Sequence, residues 1–186
     1  NQGKLASTTL KSCQVDPPIF STKALAKYYI LPHAKIANSE ETMSENRIVG
    51  AWKLISYEGH SDDEIFYPLG KDAFGYIMYT QDGYMSVTMC RANRDSFSSE
   101  DLTGGTSAEK LQAASTYISY CGRYKLLGDR VIHKIEAALF PNRVGTEQVR
   151  YTKFEGDILT LSTDPMLIAG KMRSGKIVWE RASLTN

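Results

Sequence analysis

Five polar side chains fall in one stretch of the chain, Tyr120, Tyr124, His133, Gln148 and Arg150, and their types define what they could do together. The His133 imidazole can take up and release a proton near neutral pH. The Tyr120 and Tyr124 phenols can assist such a transfer, and the Arg150 guanidinium can hold an anion through its planar fork. With Gln148 beside them, the set suits either of two tasks. It can anchor the polar or anionic group of a small, mostly apolar molecule, or it can isomerise or cyclise that molecule with His133 as general acid or base. Other chemistries lack their residues: there is no P-loop, GxGxxG, HExxH or GxSxG. His33, His60 and His133 have no metal-ligand spacing, and Ser86, Ser119 and Ser162 do not clearly share a face with His133. Neither a metal, nor a cofactor, nor a nucleophile triad is expected.

The elements that must position these residues are strands. Residues 51–58, 75–80, 84–90, 118–127, 130–139, 147–154, 158–162 and 176–182 read as eight strands, most of them joined by short turns. Asp82-Gly83, Gly128-Asp129 and Gly156-Asp157 mark three of those turns as hairpins. The expected fold is mainly β, an eight-stranded antiparallel meander closed into a barrel, because closure removes the bare edges that a meander otherwise leaves. One helix is expected between the third and fourth strands, opened by the capping box Thr106-Ser107-Ala108-Glu109. With the polar loop 92–105, it would arch over one end of the sheet.

Period-2 alternation assigns the faces. With Lys134 and Glu136 outside, Val131, His133, Ile135, Ala137 and Leu139 point inward. With Arg123 and Lys125 outside, Tyr120, Gly122, Tyr124 and Leu126 do the same. With Glu147 and Lys153 outside, the inward set is Gln148, Arg150, Thr152 and Phe154, which places a guanidinium in the interior. A buried guanidinium needs a partner, water or a ligand; the acid within expected reach is Glu58. The polar tips of the five residues would then converge in one cavity wall. The alternative is a satisfied internal network that fills the barrel without a ligand. Met78, Met85 and Met89 read as core fillers that would also suit an adaptable ligand wall. Asn142 and Arg143 read as turn chemistry, and Asp62-Asp63-Glu64 as a solvated loop.

Charge is uneven along the chain. Its 186 residues hold 22 Lys+Arg and 21 Asp+Glu, a net charge of +1. Residues 1–42 carry five lysines and three acids, which leaves 17 bases and 18 acids to residues 43–186. Such a balance gives no electrostatic reason to expect nucleic acid or a membrane as partner. Residues 1–42 show no sustained period and are expected to be a poorly structured extension, with Met43 the natural start or the boundary of a folded domain over 43–186. Cys13, Cys90 and Cys121 form no CxxC pair. They read as thiols of a reducing, cytoplasmic compartment, with a Cys90–Cys121 bridge as the oxidising alternative.

Two ends of the domain carry a resemblance. Gly50-Ala51-Trp52 in the first strand and Trp179-Glu180-Arg181 in the last are similar to the lipocalin signature, in which a GxW motif opens the barrel and an Arg on the closing strand packs over that Trp. The ordered segments YPLGKDAFGYIMYTQDGYMS, CGRYKLLGDRVIHKIEAALFPNRVGTEQVRYTKF, LTLST and VWERA resemble the small lipocalin-like domain proteins of bacteria and fungi, over about residues 48–182. The resemblance implies a closed barrel around a cavity, with Trp52 and Arg181 at its closure. It implies no settled reaction, since lipocalin-like barrels serve as carriers and occasionally as isomerases or cyclases. No TDxxY follows the GxW strand, so extracellular transport is not implied. The leading expectation is a non-catalytic or weakly catalytic binder of a small hydrophobic molecule. A cofactor-free isomerase or cyclase and a filled-barrel interaction protein are the alternatives.

Overall fold

The structure is a computed structural model, described here for residues 47–183. The expected extension 1–42 and the boundary at Met43 lie outside the described residues. The strands in chain order are β1 (Gly50–His60), β2 (Ile65–Phe66), β3 (Phe74–Tyr79), β4 (Tyr84–Cys90), β5 (Tyr117–Leu127), β6 (Arg130–Ala138), β7 (Glu147–Glu155), β8 (Ile158–Ser162), β9 (Met166–Ile168) and β10 (Lys171–Arg181). One helix, α1 (Ser107–Ser115), lies between β4 and β5, and a single 3-10 turn, Pro141–Arg143, lies between β6 and β7.

Each long strand pairs antiparallel with its neighbour in sequence, and β1 pairs with both β3 and β10. That double pairing closes β1, β3, β4, β5, β6, β7, β8 and β10 into the expected eight-stranded barrel. The short β2 and β9 extend β1 and β10 at one end. β2 shifts the helix from its expected place after the third strand to a place after the fourth. The cause is the Ile65–Phe66 pair, too short to show a period. The capping box forms as read: Thr106 Oγ1 accepts from the Glu109 amide and the Glu109 carboxylate accepts from the Thr106 amide.

Alternation fills the interior. Trp52, Leu54, Ile77, Tyr79, Met85, Val87, Met89, Val131, Ile135, Leu159, Leu161 and Trp179 are buried, while their neighbours along each strand face outward. Met78 departs from the expected methionine group, at 48% exposure on the outer face of β3. The inward reading of β6 holds through Ile135 and then fails, because Ala137 and Leu139 are exposed. A β-bulge explains the change: Cys121 pairs with Ala137 but Gly122 pairs with Ile135, so Glu136 is an extra residue and Ala138 turns inward instead. Gly122 permits this approach, since a Cβ there would meet the carbonyl of Lys134 and come within 2.8 Å of the Glu136 amide nitrogen.

The two ends of the barrel differ. At the closed end, the Trp52 indole donates to the Ile48 carbonyl at 2.8 Å, and the Arg181 guanidinium lies 4.2 Å from the Trp52 ring centroid. Arg181 also donates to the Val49 and Arg47 carbonyls, at 3.1 and 2.6 Å. At the other end, the mouth, α1, the 3-10 turn and β9 surround the opening. Glu64, expected in a solvated loop, is engaged there by Arg173 and by Lys171. Cys121 pairs opposite Ser86 and Cys90 opposite Tyr117, which separates them by about 13 Å along the strands at ~3.3 Å per residue. That spacing is far beyond a disulfide, and both are free thiols.

Candidate functional site

His133 sits on β6 between Tyr124 of β5 and Gln148 of β7 in register, fully buried at 0% exposure. Its Nε2 lies 2.8 Å from the Tyr79 hydroxyl and its Nδ1 3.3 Å from the Tyr120 hydroxyl. Burial, helped by the nearby Arg150 charge, lowers its pKa from 6.5 to about 3. The imidazole is therefore neutral at physiological pH. A neutral ring donates through one nitrogen and accepts through the other, so one tyrosine gives its proton to the pair and the other receives one. Burial likewise holds the Tyr79 pKa well above its usual value, keeping that hydroxyl protonated.

Arg150 is the inward guanidinium that alternation on β7 places inside, at 4% exposure. Its Nη1 donates to the Val149 carbonyl at 2.7 Å, while its buried Nε has no partner. Glu58 does not serve it: that carboxylate is taken by His60 at 2.7 Å and approached by Lys176 at 3.9 Å. Arg150 instead faces a cavity of about 20 Å3, room for roughly one water. Tyr57, Tyr120, Arg143 and Thr163 provide its other polar walls, and Met89, Ile118, Met166, Ile168 and Ile177 its apolar ones. Burial raises the Tyr57 pKa above 10.0, opposed by the charges of Arg143 and Arg150.

Outside this cavity lies a larger, mainly apolar pocket of about 430 Å3 at the mouth. Leu111, Ala114 and Ser115 of α1 form one wall, the start of β5 from Tyr117 to Tyr120 another, and Leu139, Phe140 and Arg143 the third. Ile118, Tyr120 and Arg143 line both spaces and so form the partition between them. The Arg143 guanidinium stands 5.6 Å from the Tyr120 ring centroid. Of the five residues read from the sequence, Tyr120 and Arg150 thus meet at the cavity, and His133 lies behind Tyr120. Tyr124 directs its hydroxyl to the Thr80 carbonyl at 2.8 Å, and Gln148 bonds Thr146 at 3.1 Å. Among the described residues, no cluster of three or more His, Cys, Asp or Glu side chains could hold a metal ion. No helix among them is long and apolar enough to cross a membrane.

A profile of the lipocalin-like domain matches residues 49–182, the span of the whole barrel. The chain belongs to the lipocalin-like domain family. A 4′-hydroxy-3′-methoxypropiophenone carrier protein of Aspergillus oryzae is 31% identical to it over 106 residues, which is 52% of this chain and 96% of the relative. A crystal structure of an uncharacterized protein from Bacteroides eggerthii matches at 14% identity and a TM-score of 0.37, covering 73% of this chain and 99% of that one. In this lipocalin-like barrel, three residues around the candidate site escape a reading based on chemistry alone. Tyr79 was legible only as the inward partner of Ile77 by parity on β3. Tyr57 stands on a strand with apolar residues on both faces, where parity gives no side. Arg143 follows a proline in a turn, where no period applies.

Proposed function

We propose that this lipocalin-like barrel carries a small, mostly apolar molecule, with its body in the mouth pocket and its polar or anionic group directed past Tyr120 toward Arg150. The observation that carries this reading is the juxtaposition of the two spaces. An apolar pocket of about 430 Å3, within the usual range of ligand sites, abuts a small cavity bordered by Arg150, a buried guanidinium whose Nε has no partner. The relative's name supports the same class of function, since it describes a carrier of an aromatic ketone.

The alternatives have less support. An acid–base enzyme would need His133 to exchange protons with a ligand, yet its ring nitrogens face Tyr79 and Tyr120 and its pKa is lowered to about 3. A filled barrel accounts for the inner half, where Tyr79 and His133 close the section, but leaves the mouth pocket unexplained. The test is native mass spectrometry of the protein isolated from its own host, joined with a Nile red titration. One co-purified molecule per chain, or saturable Nile red binding at one site, is the expected result. A ligand-free mass together with no saturable binding overturns the proposal.

A further inference from the structure

Arg143 and Arg150 bring two guanidinium groups to one small cavity without bringing an acid. Arg150 is 4% exposed, its Nε is unpartnered, and the single bond from its fork goes to the carbonyl of its own neighbour, Val149. Arg143 rests against the Tyr120 ring on the partition between the cavity and the mouth pocket. Among the described residues, no carboxylate makes an ion pair with either, and the acid best placed along β1, Glu58, is held by His60 and Lys176. The other polar groups at the cavity, Tyr57, Tyr120 and Thr163, are neutral hydroxyls that can donate.

A buried guanidinium needs a partner, water or a ligand, and of these a group of opposite charge offsets its burial most. Two guanidiniums border one space with no carboxylate beside them, while the Tyr120 hydroxyl is engaged by His133 and Thr163 Oγ1 accepts from the Gly175 amide; the excess of positive charge is what an anion completes. The size and walls of the space narrow the anion. A cavity of about 20 Å3 has room for roughly one oxygen atom, and its apolar side, Met89, Ile118 and Ile177, would leave the outer oxygens of a tetrahedral dianion without partners. A planar carboxylate presents two oxygens to an arginine fork and a single charge, and its carbon substituent leads back through the partition into the apolar pocket.

Building on the carrier reading, we infer that the cargo is a carboxylic acid bound as its anion, an aryl or arylalkyl monocarboxylate whose carboxylate sits between Arg150 and Arg143 and whose hydrocarbon body fills the mouth pocket. Arg150 is then the residue that selects acids over their neutral counterparts, and Arg143 the one that must shift for the carboxylate to pass the partition.

Calorimetric titration of the full chain at pH 7.5 with a matched pair, 4-phenylbutanoate and 4-phenylbutan-1-ol, tests this. The acid is expected to bind about tenfold or more tightly than the alcohol, the scale of one charge-assisted hydrogen-bonded pair. In Arg150→Met the acid should fall to the level of the alcohol while the alcohol is unchanged, which also shows that the variant is folded. Arg150→Lys, keeping the charge but not the fork, should retain part of the preference. Equal binding of acid and alcohol to the wild type, or a preference that survives Arg150→Met, overturns the inference and leaves the carrier reading standing. Failure of both compounds and of Nile red to bind overturns both.

Discussion

The Tyr79 hydroxyl lies 2.8 Å from Nε2 of His133, joining β3 to β6 through the barrel interior. Both residues are buried, at 2% and 0% exposure, so the bond forms in a medium where an unmet polar group is costly. The low pKa of His133, about 3, turns this link into a pH dependence. In the unfolded chain His133 takes up a proton near pH 6.5, whereas in the folded barrel it does so only near 3. Between those values the unfolded state binds more protons, so acidification favours unfolding. Its contribution is fully present above about pH 6.5 and is lost as the pH falls toward 3, at up to about 1.4 kcal/mol per pH unit. His133→Phe should be less stable than wild type at pH 7, and the gap should narrow at pH 5. Urea unfolding at the two pH values measures it, and parallel losses in the two proteins would show that His133 does not titrate on unfolding.

Tyr79→Phe isolates the hydroxyl from the ring. It keeps the edge-on contact with Tyr124, whose centroid is 4.9 Å away, and strands one nitrogen of His133. A loss of about 1–3 kcal/mol is expected, the cost of leaving a buried polar atom without its partner. An unchanged urea midpoint would mean that water reaches His133 in the variant.

What the sequence revealed divides along physical lines. Period 2 located the strands and put His133, Tyr120 and Arg150 inside, because each lies on a strand whose charged neighbours mark the outer face. It failed where the period is broken or absent. The Glu136 bulge reversed the end of β6, and the mouth is built from α1, the turn holding Arg143 and the tips of β5 and β6. Expected convergence of all five polar residues also failed for a local reason. Tyr124 and Gln148 share the inward face but have acceptors nearer to hand, the Thr80 carbonyl and the Thr146 hydroxyl.

The bulge makes Gly122 a sensitive position. A side chain there meets backbone, the Lys134 carbonyl and the Glu136 amide, and backbone in a paired strand cannot step aside as a side chain can. Gly122→Ala should cost about 3 kcal/mol or more, at the upper end of single substitutions. Gly156→Ala, at a turn with open space around it, is the contrast, limited to the strain of its positive φ of 60°. Thermal melting of the two variants should rank Gly122→Ala well below Gly156→Ala; equal losses would show that the bulge relaxes.

At the closed end, Arg181 covers Trp52 and ties down the Arg47 and Val49 carbonyls. Arg181→Met should lose about 1–3 kcal/mol, from the cation–π contact and the two backbone bonds. Gly50 shares this corner: its φ is 128°, and a Cβ would come within 2.9 Å of Arg181 Nη1. Gly50→Ala should therefore both strain the backbone and push Arg181 from the indole. Since the second effect needs Arg181, the double variant should lose less than the sum of the singles by about 0.5–1 kcal/mol. Strict additivity in chemical denaturation would place the two residues in independent roles.

The mouth pocket makes a prediction that separates binding from folding. Leu111 and Phe140 line it at 71% and 59% exposure, so they contribute little to the core. Leu111→Asp and Phe140→Asp should change stability by no more than about 0.5 kcal/mol, as surface substitutions usually do. Each nevertheless places a carboxylate in the apolar wall against which a ligand would lie, and Nile red affinity should fall by roughly tenfold, the loss expected when about 50 Å2 of apolar contact is withdrawn. Leu167→Asp is the control, equally exposed at 72% but on β9 and outside the pocket lining, and should bind the dye as wild type does. A uniform loss across the three variants would trace the effect to net charge, and no loss in any would move the site away from α1.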